Sequence, residues 1–178
     1  MKTDLRRSQF FKSVQNGDLE DMRGRIEIGI DVNFVDLPSK KTPLLVAVAA
    51  GNEDAVQILL SANADITARD AQLNTALHLS VGQSNVAMTK RVVEAGCSLE
   101  ECDCRGDTAL LKACRHSASH PHVSTLLQFK CRVDALSLNH KQTPLHLLIE
   151  AKCSPDLLQL VLVCVHTVAD RYCFFACF

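Results

Sequence analysis

Tryptophan is absent from this 178-residue chain, tyrosine occurs once, and aromatic residues make up only 4%. Any core must therefore be mostly aliphatic. Seven Gly and five Pro are too few for a collagen-like or low-complexity chain. Neither sign of charge dominates: 19 basic side chains meet 20 acidic ones, for a formal net charge of −1. That excludes nucleic-acid binding by bulk positive charge, which shows as a basic excess or stripe. With 47% apolar residues, the chain also falls outside the disordered class. No uninterrupted apolar run is long enough to cross a bilayer. The nearest stretch, Leu157 to Phe178, is broken by Gln159, His166, Asp170 and Arg171, so no membrane partner is expected. No apolar segment follows Met1 to Arg7, and no Cys stands four from the end, so neither secretion nor prenylation is expected. Nine cysteines, an odd number, then read as free thiols in an intracellular, cytoplasmic protein. No glycine-rich phosphate loop occurs, which leaves nucleotide binding unsupported.

What is present is a repeat. Thr42-Pro43-Leu44, Thr75-Ala76-Leu77-His78, Thr108-Ala109-Leu110 and Thr143-Pro144-Leu145-His146 recur at spacings of 33, 33 and 35 residues. About a dozen residues after each comes a second apolar stretch: Val56 to Leu60, Arg91 to Val93, Leu126-Leu127 and Leu157 to Leu160. The first three units close on a small or polar patch: Asn63-Ala64-Asp65-Ile66, Gly96-Cys97-Ser98-Leu99 and Lys130-Cys131-Arg132-Val133. Two short helices and a turn cannot bury an apolar face alone, but units stacked side by side can.

The pattern resembles the ankyrin repeat, with its period of 33 and T-P-L-H-x-A core. The likeness covers about residues 8 to 162. Phe10 to Asn33 looks like a first, capping unit, with a helix-breaking Gly17 and an Asp31-Val32-Asn33 exit. The resemblance implies an all-α solenoid of stacked helix-turn-helix units with short hairpin loops. The expected units are 8–36, 37–69, 70–102, 103–137 and 138–162. Each signature Thr is expected to cap its first helix, with Pro43 and Pro144 in the first turn. In the family the motif His bonds the neighbouring unit's loop, a role that carries over to His78 and His146 only, since Leu45 and Leu111 occupy the other two positions. Gly51 matches the residue that ends the first helix in a left-handed conformation. Ser84, Ser117 and Lys152 stand there in later units, at about 1 kcal/mol each, so those units should be less stable.

Two departures stand out. The unit from Thr108 carries two extra residues, one between Ser117 and Val123 and one near Asp134 to Leu138, and Pro121 should separate its two helices. The end is apolar and lacks the usual exit: residues 163–178 read either as a truncated or spliced tail not native to the fold, or as a hydrophobic cap or docking segment.

The Cys/His-rich stretch, Cys97, Cys102, Cys104, Cys114, His116, His120 and His122, is a candidate zinc or redox site. Against it, Cys97 and Cys131 hold the slot of Ala64, Cys114 falls on a core-facing position, and the remaining spacing fits no zinc signature. A buried Cys behaves as a small hydrophobe. No Cys/His pair comes with an orienting group and an oxyanion site. The expectation is a non-enzyme with no cofactor and no metal.

The resemblance implies protein binding on a concave surface, by positions four, three and one before each Thr and seven and eight after it. These are Pro38, Ser39, Lys41, Ala49 and Ala50; Ala71, Gln72, Asn74, Gly82 and Gln83; Cys104, Arg105, Asp107, Arg115 and His116; and Asn139, His140, Gln142, Glu150 and Ala151. Gln72, Asn74, Gln83, Arg105, Asp107, Arg115, His116, His140, Gln142 and Glu150 are the candidate contacts. Arg105 and Arg115 would suit an acidic partner segment. A solvated face without a dedicated partner is the alternative. The loose consensus and many cysteines also look like the SOCS-box class of ankyrin proteins, substrate-binding parts of ubiquitin-ligase adaptors, although no such box is visible here.

Overall fold

A computed structural model of the chain describes residues 2–37, 39–83, 85–115, 120–137 and 141–175, with side chains described at 5–37, 39–83, 85–115, 121–137 and 141–165. The described residues are helical, with isolated bridges at Asp36–Lys41 and Cys102–Thr108. They form two compact units, residues 1–98 and 99–178. The first holds α1 (Lys2–Asn16), α2 (Leu19–Glu27), α3 (Pro43–Ala49), α4 (Glu53–Ser61), α5 (Ala76–Val81) and α6 (Val86–Glu94). The second holds α7 (Ala109–Arg115), α8 (His120–Gln128), α9 (Pro144–Glu150) and α10 (Pro155–Phe175).

Helix starts follow the signature. The hydroxyls of Thr42, Thr108 and Thr143 accept the backbone N–H three residues on, and Pro43 and Pro144 sit at the first helical position. Such a cap is worth about 1 kcal/mol. At Thr75 and Thr143 the box is closed by the following His: Nδ1 of His78 lies 2.9 Å from Thr75 Oγ1, and Nδ1 of His146 lies 2.7 Å from Thr143 Oγ1. That nitrogen therefore serves its own unit's cap. His78 is buried, whereas His146 is exposed. Second helices are capped by Asp18, Asn52 and Asn85, a series with no counterpart in the Thr signature.

Within each unit the helices stack in neighbouring pairs. α3 packs between α1 and α5, with α2 against α4; α7 packs on α9, and α8 on α10. The core is aliphatic, as the composition demands: Leu44, Leu45, Leu59, Leu77, Leu110, Leu111, Leu126 and Leu148 are all fully buried. Leu45 and Leu111, standing where the motif has His, simply join it. Among the described residues an aromatic cluster lies in the capping unit, where Phe10 and Phe11 approach Phe34 at 6.2 and 4.9 Å. Exit loops lock neighbouring repeats: Asn33 accepts from Asp65 N at 2.8 Å and donates to Asn63 O, and Glu100 accepts from Arg132 N at 2.8 Å. On the outer helices, Glu53 of α4 is held by Asn85 and by Arg91 of α6, and these two partners keep its carboxyl below the usual range.

Left-handed residues end the first helices as expected, with φ +72° at Gly51 and +49° at Lys152; Ser84 and Ser117 lie outside the described residues. Gly17 does the same at φ +73°, but a Cβ there would strike the side chain of Asn52, the cap of α4. At Gly51 a Cβ meets nothing. Gly51→Ala should therefore cost about 1 kcal/mol of backbone strain. Gly17→Ala should cost about 2 kcal/mol, because the Asn52 cap is disturbed as well. Urea unfolding followed by circular dichroism checks this, and equal losses would count against the Asn52 contact.

The extra residue near Asp134 to Leu138 falls in a hairpin. Ser137 N bonds Gln142 O, one residue further along than the Asp70–Asn74 and Asp103–Asp107 closures. The first hairpin, Asp36–Lys41, has the same longer form. The other insertion ends in residues that are not described, but Pro121 does stand in the first turn of α8. α10 continues through residue 162 without a break and spans 21 residues, against nine for α2, α4, α6 and α8.

Candidate protein-binding face

In the first unit, hairpin and inner helices line an open cavity of about 420 Å³. Its wall is Phe11 and Gln15 of α1, Asp36, Ser39 and Lys41 of the hairpin, and Val46, Ala49 and Ala50 of α3 and its end. Four of these, Ser39, Lys41, Ala49 and Ala50, are positions found by counting from Thr42. The small alanines make the room. Phe11 and Gln15 escaped that count because the capping unit has no Thr signature to count from. Their signal was the Phe10-Phe11 pair on a mostly polar helix.

The next hairpin is organised by Asp70, which is buried and accepts from the backbone N–H of Gln72 and Asn74 at 2.9 and 2.8 Å. Asn74 also donates its side-chain amide to both Asp70 oxygens. Asn74 is thus part of the hairpin's scaffold, while Gln72 is exposed at its tip. Gln83 reaches the preceding repeat, donating to Ala49 O at 2.9 Å.

In the second unit Asp103 repeats the role of Asp70, accepting from Arg105 N and Asp107 N at 2.8 and 3.0 Å. The Arg105 side chain is exposed. Asp107 and Arg115, both candidate contacts, pair with each other: Nε to Oδ2 at 2.9 Å and Nη2 to Oδ1 at 3.3 Å, with Nη2 also donating to Ser137 at 2.9 Å. The Asp107 side chain is 4% exposed and that of Arg115 is 27%. The same eight-residue step joins Gln142 to Glu150, Nε2 to Oε1, at 2.7 Å. His116 and His140 lie outside the described residues.

The cysteines divide by burial. Cys97, Cys114, Cys131 and Cys153 are buried, while Cys102 and Cys104 are exposed on a hairpin. Burial pushes the thiol of Cys97 up to about 11 and that of Cys131 up to about 12; it raises Cys114 further and Cys153 as well. His122 is buried on α8. Among the described residues no three His, Cys, Asp or Glu side chains are grouped to hold a metal ion. Brief treatment with N-ethylmaleimide at pH 7.5 should label Cys102 and Cys104 at least tenfold faster than Cys97, Cys114 or Cys131, because the thiolate is the reactive form. Peptide mapping reads this directly, and comparable labelling of Cys114 would count against its burial.

A family model described as ankyrin repeats, in three copies, matches residues 10–101, just over half of the chain. The chain belongs to the ankyrin repeat family. Ankyrin repeats generally mediate protein–protein interaction, which implies protein partners. Relatives include the B-cell lymphoma 3 protein homolog of Mus musculus, 30% identical over 101 residues, covering 57% of this chain and 22% of the relative. The palmitoyltransferase AKR1 of Lachancea kluyveri is 34% identical over 135 residues, covering 74% of this chain and 18% of that enzyme. Putative ankyrin repeat protein FPV031 of fowlpox virus is 28% identical over 142 residues, covering 79% of this chain and 42% of its own length. The ankyrin chain thus spans less than half the length of each. The family is typically non-enzymatic. Among the described residues, no helix is long and apolar enough to cross a membrane.

Proposed function

We propose that this ankyrin repeat chain binds a partner protein, without catalysis, on the inner face of its first helices and on the hairpins that precede them. The cavity walled by Phe11, Val46, Ala49 and Ala50, with Asp36, Ser39 and Lys41 at its polar edge, carries the reading. It offers an apolar anchor site beside hydrogen-bonding groups, the composition expected of a binding hot spot. The hairpins are pre-formed by Asp70 and Asp103, so little ordering entropy is lost on association. Exposed Gln72, Arg105 and Glu150 are the contact residues of this reading. Asn74, Gln83, Asp107, Arg115 and Gln142 hold the face in shape. His116 and His140 complete the proposed set by position.

The test is an affinity pull-down from cell extract with mass spectrometry, using the wild-type chain, Ala50→Arg and Arg105→Ala. A partner depleted at least tenfold by Ala50→Arg, with circular dichroism unchanged, supports binding at the cavity. Identical partner lists for all three baits overturn this choice of face. The narrower reading, the substrate-binding part of a ubiquitin-ligase adaptor, rests on the loose consensus and the many cysteines. Recovery of ligase subunits in the same experiment would support it.

A further inference from the structure

The α9–α10 repeat leaves uncovered what the inner repeats bury. Counting from the signature Thr, the third and sixth residues on are Leu45 and Val48 in α3 and Leu111 and Cys114 in α7, all 0% exposed. α3 packs on α5, and α7 on α9, in each case the first helix of the repeat that follows. The same two positions in α9 are His146 and Ile149, and both are exposed, Ile149 at 58%. The second helix agrees. Val56, four residues after the Asn52 cap of α4, is fully buried. Leu158, four residues after Ser154 at the start of α10, is only half-buried, and Leu162 and Val163 beyond it are exposed. An apolar patch of this kind marks an interaction surface. It continues the repeat-to-repeat interface, so the occupant that fits is another pair of helices packed side on. Within this chain, Arg6, Arg7, Ser8, Gln9 and Lys12 dominate the exposed part of α1, and setting them against Ile149 and Leu162 would bury unpaired charge. The α9–α10 face itself is the better match. Pro155, Leu158, Leu162 and Val165 follow a 3-4-3 step along α10, the seam of paired helices, and none of them is buried. Run antiparallel to a second copy, this step sets Leu158 against the partner's Leu162 and Pro155 against the partner's Val165, twice over. Lys152 and Asp156, exposed beside the stripe, have opposite signs, so two copies meet without net repulsion.

We propose that the α9–α10 face pairs with the same face of a second copy of this chain, in a closed two-fold dimer. A contact that uses one patch twice stops at two copies, whereas a head-to-tail contact would go on growing. The face belongs to the second unit and the cavity walled by Phe11 and Ala50 to the first, so self-pairing and partner binding are separable by mutation. The test is sedimentation velocity of the full chain over a hundredfold range of concentration, in reducing buffer so that no disulfide contributes. Hydrogen exchange is read at both ends of that range. The expected result is a reversible monomer–dimer equilibrium, in which the amides of α9 and of residues 155–165 gain protection. Ile149→Arg and Leu162→Arg should each weaken the dimer at least tenfold with unchanged circular dichroism, since both side chains are exposed in the single chain. Leu136→Arg, at an exposed leucine elsewhere in the same unit, and Ala50→Arg should leave it unchanged. A chain that stays monomeric at the highest concentration would overturn the proposal and leave the face to a helix pair of another protein. Mass growing past two copies would overturn it as well. So would a dimer insensitive to Ile149→Arg and Leu162→Arg, or one weakened equally by Leu136→Arg, since either would assign the association to a different surface.

Discussion

Leu110→Ala should lower the stability of the chain by about 3 kcal/mol, the middle of the range for a fully buried leucine. Leu110 is 1% exposed on α7, the helix that packs on both α8 and α9. With few aromatics in this part of the chain, leucines supply most of the buried area, and the hole has only neighbouring aliphatics to relax into it. Leu136→Ala is the control: its side chain is 55% exposed, and its loss should cost under about 0.5 kcal/mol. Both are read by urea unfolding at 222 nm. A loss below 1 kcal/mol at Leu110 would mean that α7 is not packed as described.

Arg115→Ala should cost about 2 kcal/mol. It strips a two-pronged guanidinium partner from Asp107, whose own side chain is 4% exposed, and removes the donor to Ser137. Breaking a fully buried pair costs roughly 3–5 kcal/mol, but Arg115 keeps 27% exposure, so solvent screening trims that figure. A double-mutant cycle with Asp107→Ala should return a coupling of about 1–2 kcal/mol. Arg115→Lys should recover less than half of it, because an ammonium cannot make the two-pronged contact. Arg105→Ala, on the exposed tip of the same hairpin, should leave stability within about 0.5 kcal/mol. A coupling near zero would return Arg115 to the list of residues free to meet a partner.

That contrast shows how far the candidate face was legible. Counting from each Thr located Asp107 and Arg115 correctly on the hairpin and the inner helix. It did not reveal that they are eight residues apart because they bond each other, nor that Gln142 and Glu150 repeat the arrangement. Both members carry polar groups, and a list of polar positions cannot tell a donor aimed at a partner protein from one aimed at its neighbour. The same holds for Gln83, whose amide is spent on Ala49 O. Phe11 was missed for another reason: the capping unit departs from the repeat, and α1 begins at Lys2, ahead of the unit boundary at residue 8.

Period and capping chemistry are local, and they were settled by the order of residues alone. Thr before Pro or Ala, at a step of 33, sets helix starts, because cap and first turn involve residues only three apart. The scarcity of aromatics likewise dictated an aliphatic core. What only the tertiary structure decided is which polar groups are already satisfied and where apolar walls leave space. Arg115 meets Ser137 across 22 residues, and Asn33 meets Asp65 across 32. Those meetings depend on stacking geometry, since charge and hydrogen-bond complementarity act through space rather than along the chain.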